Sequence, residues 1–427
     1  MIHKLIYRVG QKIRNPSIRK WYHFLKESEK WPREKLETYQ LQKLRYLIDF
    51  ADTHSPYYQN LFKEKGLSSA DIKSLKDIKK FPTISKEELI KYNRDIHTNY
   101  PFKKKFVATT SGSSGNTLSF NRDESADSFN RASIFRGYSW HLVHPWERNG
   151  YFWGYNFSFT ERLKVKLLDT LQNRFRIFTY KEQELVKFAR KLQYASYLHG
   201  YSSMIYETAK CINVMDLPKP KKLKMVKGTS EKIFPYYQQE IQKAFGQRII
   251  SEYGATESGI IAFECPSGNM HINMEGVLVE EVDNEILVTN LEMHSFPVIR
   301  YKLGDYIKLG TGLKTCACGR DHTILEEVTG RVGNKIIGKD QEYPSLYFYY
   351  IFKNLSLNKN LELSYQVIQR EKGKLEFYIL EEMNANEKQL LISEIRHHFG
   401  NDILFTIYQG KPKEQYTGKT KSFISYL

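Results

Sequence analysis

The sequence predicts an α/β protein in two parts. A large, multi-sheet N-terminal domain with parallel strands and helices spans residues 1–330, and a small α+β domain spans 331–427. Three observations carry that expectation. Through the middle of the chain, β-branched and aromatic runs alternate with helical patterns of about 10 to 15 residues, the rhythm of parallel strands joined by helices. From Glu275 to Leu291, "EGVLVEEVDNEILVTNL" sets two short strands around Asp-Asn, which reads as an antiparallel hairpin. After "GRVGNKIIGKDQEYPS" the alternation stops, and two hairpin strands, one helix and a further strand follow.

In order along the chain, "MIHKLIYRVGQKIRNPSIRKW" carries Lys4, Arg8, Lys12, Arg14, Arg19 and Lys20 and no acid. Its Ile2, Leu5, Ile6, Val9 and Ile13 fall at helical spacing, so it reads as an amphipathic basic helix. Such a helix either packs on the domain or meets a membrane surface. It lacks the continuous apolar stretch and small-residue cleavage site of a signal peptide. "LETYQLQKLRYLIDFADTH" is helical, and Ser55-Pro56 looks like the N-cap and first turn of the next helix. "SSADIKSLKDIKKFPTISKEELIKY" reads as two short helices joined at Phe81-Pro82-Thr83, with Ser85 capping the second. "YFWGYNF" is a strand and "YKEQELVKFARKLQYA" a helix; "KLKMVKGTS" is a strand entering a turn. "FPYYQQEIQKAFG" is a helix ending at Gly246, and "QRIISEYGATES" is a strand that stops at a glycine turn. In the small domain, "LSYQVIQREKGKLEFYIL" supplies a hairpin, "ANEKQLLISEIRHHFG" a helix and "DILFTIYQ" a strand.

The bulk numbers exclude several classes. An aromatic fraction of 14% is too high for a disordered chain. No run approaches the roughly 20 apolar residues that span a bilayer. A formal charge of +17 points to an anionic partner. No compact basic-aromatic module stands out, so a nucleic acid is not the expected one. Four cysteines make no disulfide framework, which fits a cytoplasmic protein; Cys211, in a helical stretch, reads as a core residue.

Five short segments carry the chemistry. "TTSGSSGNTLSF" concentrates glycine and hydroxyl groups after the basic "PFKKKF". It is no Walker A loop, because Asn116 and Thr117 follow Gly115 where Lys and Ser/Thr belong. It is either a flexible linker or a phosphate holder built from backbone amides and the hydroxyls of Thr110, Ser111, Ser113 and Ser114. In "SEYGATES", Tyr253 can stack on a base, Thr256 can bond a phosphate and Glu257 can hold magnesium; an ordinary turn explains the pattern equally well. In "VIRYKLGDYIKL", Asp305 is either a ribose acceptor or part of a surface turn. "EEVTGRVGNKI" marks the suspected domain boundary, and "YTGKTKSF" puts Lys419 on a glycine turn near the C-terminus. Separately, Cys265, His271, Cys316 and Cys318 are either a complete tetrahedral zinc set, in an insert at about 265–318, or free thiols with His271 an ordinary strand residue.

In this order and spacing the five segments resemble the adenylate-forming ligase (acyl/aryl-CoA synthetase) superfamily. The likeness covers nearly the whole chain and is nearest the phenylacetate–CoA ligase branch and its capsule-biosynthesis ligase-like members. "SPYYQNLFKEKGLSSADIKSLKDIKKFPTISKEEL", "KGTSEKIFPYYQQEIQKAFGQRIISEYGATES" and "YQVIQ" carry it. The resemblance implies ATP, magnesium and structural zinc, a carboxylic acid substrate, and coenzyme A or another nucleophile as acceptor. It implies that Ser111, Gly112, Ser113, Ser114 and Gly115 wrap the outer phosphates beside Thr110, and that Thr256 touches the α-phosphate. Glu257 would bind magnesium; Tyr253, with Gly254 at its side, would flank adenine, and Ser230 and Glu231 would line its pocket. Asp305 would hold the ribose, Arg331 would support it from the hinge, and Lys419 would bridge carboxylate and α-phosphate. The small domain would be mobile about that hinge.

Leu118, Lys302, Gly333 and Asn334 depart from the family pattern, and the last two remove the usual hinge acids. They put the acceptor in doubt more than the adenylation. Two rivals stay open: an amide-forming ligase acting on an amine such as a sugar precursor, and a non-catalytic scaffold of an envelope-polymer assembly. The setting expected is cytoplasmic, with residues 1–21 offering peripheral contact at the inner membrane face as an alternative to simple packing.

Overall fold

The computed structural model describes residues 2–110, 118–152, 159–177, 182–310, 316–331, 335–412 and 422–427. The chain opens with the helices Ile2–Arg14, Ile18–Ser28, Arg33–His54 and Pro56–Lys65. The third turns Leu36, Leu44, Leu47, Ile48 and Ala51 inward, at the three- and four-residue steps of one helix face. It ends where Ser55 becomes extended (φ −106°, ψ 114°), as a residue before proline must. Pro56 then opens the next helix, which Gly66 closes at φ 63°.

Ser55 holds the expected cap position, but its hydroxyl donates to the carbonyls of Asp95 (3.1 Å) and Ile96 (3.0 Å) instead. The first of the two short helices expected next is a pair of 3-10 turns, Ser69–Asp71 and Leu75–Lys80. Each opens on its own Ser-x-x-Asp capping box, which interrupts a continuous helix. The second, Lys86–Lys91, is capped by Ser85 as expected.

Strands β1 (Lys105–Thr109) and β2 (Ser119–Asp123) pair antiparallel as a two-stranded sheet. Thr110 and Leu118 adjoin it, with the Thr110 amide donating to the Leu118 carbonyl at 2.9 Å. Leu118 is buried in the core, which accounts for an apolar residue there.

The main sheet has eleven strands. Strands β3 (Asn149–Phe152), β4 (Arg174–Ile177), β5 (Tyr197–Tyr201), β6 (Met225–Thr229) and β7 (Ile249–Ala255) are parallel and separated by helices, as the alternation predicts. Strands β8 (Gly259–Glu264), β9 (Met270–Ile272), β10 (Val277–Val282), β11 (Glu285–Asn290), β12 (Tyr301–Leu309) and β13 (Ile324–Arg331) continue it antiparallel. The spatial order is β10-β11-β12-β13-β9-β8-β7-β6-β5-β3-β4. Asp283 and Asn284 turn the β10–β11 hairpin with φ of 52° and 64°, both left-handed as that turn requires.

Three apolar clusters among the described residues serve this sheet, one of them packing Tyr138 and Trp140 on Tyr197, Met225, Ile250 and Phe263. Another joins the N-terminal helices to the antiparallel strands; the third packs Phe188, Ile205 and Ile241 of the connecting helices on the parallel ones. Cys211 is half-buried at the edge of the third cluster.

The last part begins with the pair β14 (Lys335–Ile337) and β15 (Glu342–Pro344). Strands β16 (Tyr365–Glu371), β17 (Lys374–Ile379), β18 (Leu404–Gln409) and β19 (Phe423–Ser425) form a second sheet in the order β18-β17-β16-β19. Helices Leu346–Lys359 and Ala385–Phe399 complete a separate apolar cluster around Phe348, Val367, Phe377 and Leu391. Among the described residues, no helix is long and apolar enough to cross a membrane.

Asp123 joins the layers of the first part. Its carboxylate accepts from Ala126 N (3.0 Å), capping the helix Glu124–Trp140, and from the amides of His294 (3.2 Å) and Ser295 (3.1 Å). Asp123→Ala removes a cap and orphans buried amides, so it is expected to lower unfolding free energy by about 2 to 4 kcal/mol. Chemical denaturation of the two proteins measures this; coincident curves would show that the junction does not depend on that carboxylate.

Candidate active site

Strand β7 changes neighbours along its length. Thr229, the last residue of β6, pairs with Glu252, so Tyr253 to Ala255 extend past the end of the parallel strands. The turn expected at Gly254 does not occur there. The strand runs on to Ala255, turns through Thr256–Ser258 and returns antiparallel as β8, with a register shift between Tyr253 and Gly254. Gly254 is needed for close approach: a Cβ on it would lie 2.5 Å from the Gly259 carbonyl oxygen.

This turn lies at the carboxyl ends of the parallel strands, where open α/β sheets bind ligands. Beside it, Ser230 leaves β6 at φ 66°, a left-handed conformation that a serine adopts only under local constraint. The Glu231 carboxylate accepts from the Ser203 amide (2.8 Å) and so fastens this exit to the helix Ser202–Val214.

Four strand steps separate β7 from β12, a span of about 19 Å in a flat sheet. Yet the Tyr253 hydroxyl donates to Asp305 Oδ2 at 2.7 Å, and the Tyr301 hydroxyl donates to Glu257 Oε1 at 2.8 Å. The sheet therefore curls until its antiparallel half faces the end of β7. Residues 301, 303, 305 and 307 are buried in alternation, so Tyr301 and Asp305 point to the same side. Arg331 is the register partner of Asp305 across β12–β13. The β1–β2 pair joins the same place, because the Arg122 guanidinium donates to the Thr256 carbonyl.

Ser230, Glu231, Tyr253, Gly254, Thr256, Glu257, Asp305 and Arg331 fall on described backbone near the end of β7, and Thr110 is described just past the end of β1. Ser111, Gly112, Ser113, Ser114, Gly115 and Lys419 lie outside the described residues. Sequence reasoning missed Tyr301 and Arg122. Tyr301 has a usable signal in retrospect, the two-residue alternation that puts it in phase with Asp305; Arg122 has none.

A buried polar layer supports the strand ends. Lys227 Nζ lies 2.6 Å from Glu252 Oε2, with both side chains almost sealed from solvent. Burial pulls the Lys227 ammonium below its ordinary range, and Glu252 opposes that shift. His199, on β5, stacks on Tyr151 (4.4 Å between ring centres) and faces the Tyr138 hydroxyl and Asn149 Oδ1, each at 3.3 Å. Burial, aided by Lys227, drives its pKa well down, so it is a neutral imidazole.

Cys265, His271, Cys316 and Cys318 converge as the sequence suggests, their ligating atoms within 4.8 Å of one another. Cys265 and Cys316 sulfurs are 3.7 Å apart, and Cys318 Sγ is 3.2 Å from His271 Nε2. His271 Nδ1 faces the His322 carbonyl oxygen at 3.3 Å, which directs Nε2 inward. Behind this group, Glu275 is fully buried against Arg136 (2.6 Å) and His322 (3.0 Å). Burial opposes ionisation, but the Arg136 guanidinium, with hydrogen bonds from its other partners, holds its carboxyl far below the usual range.

No family model matches the chain. Over 98 residues it is 34% identical to a phenylacetate–coenzyme A ligase of Aromatoleum evansii, covering 22% of this chain and 21% of that protein. The match thus spans about a fifth of that ligase. Over 415 residues it is 21% identical to Protein CapK of Staphylococcus aureus, covering 90% of this chain and 88% of that one. The fold is similar to that of 2-hydroxyisobutyryl-CoA ligase in the postadenylation state with R3-HIB-AMP. That likeness has a TM-score of 0.71 at 15% identity, over 93% of this chain and 91% of the other. The open form of that ligase, with 2-HIB-AMP and CoA, gives 0.61 at 15% identity over 93% of each chain. The chain thus has the fold of these AMP-forming CoA ligase structures, and its sequence is similar over about a fifth of its length to a phenylacetate–CoA ligase and over nine tenths of it to Protein CapK.

Beneath the turn, Asn290 Nδ2 donates to the Ser258 carbonyl (3.1 Å), and its Oδ1 accepts from the Glu292 amide (3.0 Å). Burial raises the Glu292 carboxyl to about 7, against the pull of Lys43 at 2.8 Å. A carboxyl raised in the folded state stabilises fully below its unfolded pKa, near 4.5, and that contribution fades as pH rises through 7. Glu292→Gln is therefore expected to flatten the stability profile between those limits by about 3 kcal/mol. Denaturation midpoints at several pH values test it, and an unchanged slope would assign the titration to another group.

Proposed function

We propose that the protein is an ATP- and magnesium-dependent ligase that activates a carboxylic acid as an acyl-adenylate and passes the acyl group to coenzyme A. The observation that carries this reading is the meeting of Tyr253 with Asp305, and of Glu257 with Tyr301, at the end of β7. Two separate sequence segments meet there, with residue types suited to different parts of ATP. Tyr253 and the Ser230–Glu231 exit would bracket adenine, with Gly254 leaving room beside it. Asp305 would accept from the ribose hydroxyls, supported by Arg331. Thr256 would donate to the α-phosphate, and Thr110 with Ser111 to Gly115 would wrap the outer phosphates. Glu257 would hold the magnesium that accompanies ATP, whose charge offsets that of the phosphates.

In the first step a carboxylate oxygen attacks the α-phosphorus, the bond to the β-phosphate oxygen breaks, and pyrophosphate leaves. Lys419 would lie between the two anions; one ammonium about 4 Å away contributes on the order of 4 kcal/mol at an effective dielectric near 20. In the second step the coenzyme A sulfur attacks the acyl carbon, the bond to AMP breaks, and the thiol proton goes to solvent. We assign residues 1–330 to the nucleotide- and acid-binding domain and 331–427 to a mobile small domain that supplies Lys419. The separate apolar cluster of the last part supports that division.

The Cys265, His271, Cys316 and Cys318 group fits a structural zinc. The 3.7 Å between two of its sulfurs is close to the edge, about 3.8 Å, of a tetrahedron with zinc–sulfur bonds of about 2.3 Å. All four positions are filled by protein, so the ion would brace β8, β9 and the segment before β13 without reacting. The setting we infer is cytoplasmic, in cell-surface polysaccharide biosynthesis, a reading supported by the end-to-end likeness to Protein CapK.

Carboxylate-dependent ATP–pyrophosphate exchange over aryl, fatty and amino acids tests the first step. Exchange with one acid class is expected, with a loss of at least about 100-fold in Lys419→Ala. Silence across the panel in a protein that still binds ATP would favour the scaffold reading. For the metal, elemental analysis is expected to find one zinc per chain. Cys316→Ser should lose the ion and melt at a lower temperature; a metal-free protein of undiminished stability would remove zinc from the account.

A further inference from the structure

The helix Ile2–Arg14 buries none of its residues completely. Tyr7 on its inner side packs edge-on to Phe135 (6.1 Å) and Trp146 (6.4 Å). Its outer side presents Ile2, Leu5, Val9 and Ile13, each at least half exposed, at the three- and four-residue steps of one row. The helix Phe159–Leu171 touches it, with His3 Nδ1 3.4 Å from the Leu171 carbonyl oxygen. That helix leaves Leu163, Leu167 and Leu171 exposed in a row of its own, with Leu168 beside them. These eight side chains, on two helices in contact, are all exposed large apolar residues. Monomeric soluble proteins rarely leave so many together.

Among the described side chains of these two helices, the exposed charges are all basic. Lys4, Arg8 and Lys12 form a row four residues apart alongside the apolar one, and Lys164 and Lys166 are exposed on the second helix. The first acid in the chain is Glu27. Asp169 on the second helix is buried and bonded to Arg176 at 2.8 Å, so it does not offset the rim.

We propose that these two helices together form a docking face for an anionic lipid surface. Apolar rows bordered by lysine and arginine match the boundary between acyl chains and acidic headgroups. The charge pattern disfavours a second copy of the chain as occupant, because face-to-face pairing would oppose two basic rims. Membrane contact is thus shared between the N-terminus and a helix of the parallel-sheet layer, far from it in sequence. This reading is independent of the chemistry at the end of β7.

The test is co-sedimentation of the full chain with vesicles of phosphatidylcholine alone or with about 30% phosphatidylserine, at low and high salt. Binding to the anionic vesicles is expected, with a several-fold loss at 0.5 M salt (about a 4 Å screening length). Leu5→Ser with Val9→Ser, and separately Leu163→Ser with Leu167→Ser, change exposed residues and should each lower partition about tenfold or more. Circular dichroism and melting verify that both variants fold. No binding to anionic vesicles, or binding that neither pair weakens, overturns the proposal. So does sedimentation velocity showing a dimer in the native chain that either pair dissociates, which would make the face a self-association surface.

Discussion

Strands β7 and β12 are four steps apart in the main sheet, yet hydroxyl–carboxylate hydrogen bonds join them through Tyr253–Asp305 and Tyr301–Glu257. The candidate site depends on that curl. A flat sheet would keep Tyr253 and Asp305 too far apart to meet. The curl has a visible basis in the two halves. Parallel strands β3 to β7 are sandwiched by helices, while the antiparallel strands wrap the N-terminal helical layer that contains Leu36, Leu44 and Tyr301's neighbours. Strand β7 pairs with both kinds of neighbour, so its free end is where the two packing arrangements meet.

Buried charge is concentrated along that seam. Lys227 and Glu252 form a sealed pair under the strand ends, and Glu275 is held by Arg136 and His322 behind the cysteine–histidine group. Removing one partner from such a pair leaves an uncompensated charge in a medium that solvates it poorly. These pairs therefore fix the geometry more than they add to stability. His322 links the two systems, since its ring bonds Glu275 and its carbonyl orients His271.

Local chemistry made many elements legible from sequence. Proline at the first turn and glycine at the C-cap bounded Pro56–Lys65 and Pro235–Phe245, and Asp-Asn turned β10 into β11. Where neighbouring signals competed, the expectation failed in detail. Two adjacent capping boxes broke one expected helix into 3-10 turns, and Ser55 used its hydroxyl on Asp95 and Ile96 rather than on the helix it precedes. Gly254 looked like a turn because glycine commonly makes one. It serves instead for close backbone approach within a strand, a distinction that depends on Gly259 across the hairpin.

The sequence by itself determined the alternation of strands and helices, its end in the last part, and the residue types that meet at the end of β7. Those follow from periodicity and side-chain chemistry, which are local properties. It also determined the cysteine–histidine set, because so few thiols leave little choice of partners. Only the tertiary structure decided that Tyr301 would face Glu257, that Arg122 would tie the β1–β2 pair to the Thr256 turn, and that two helices distant in sequence would touch. Each of these depends on the curvature of a sheet or the packing of helices across it. That curvature is set by many side chains acting at once, and no single stretch of sequence encodes it.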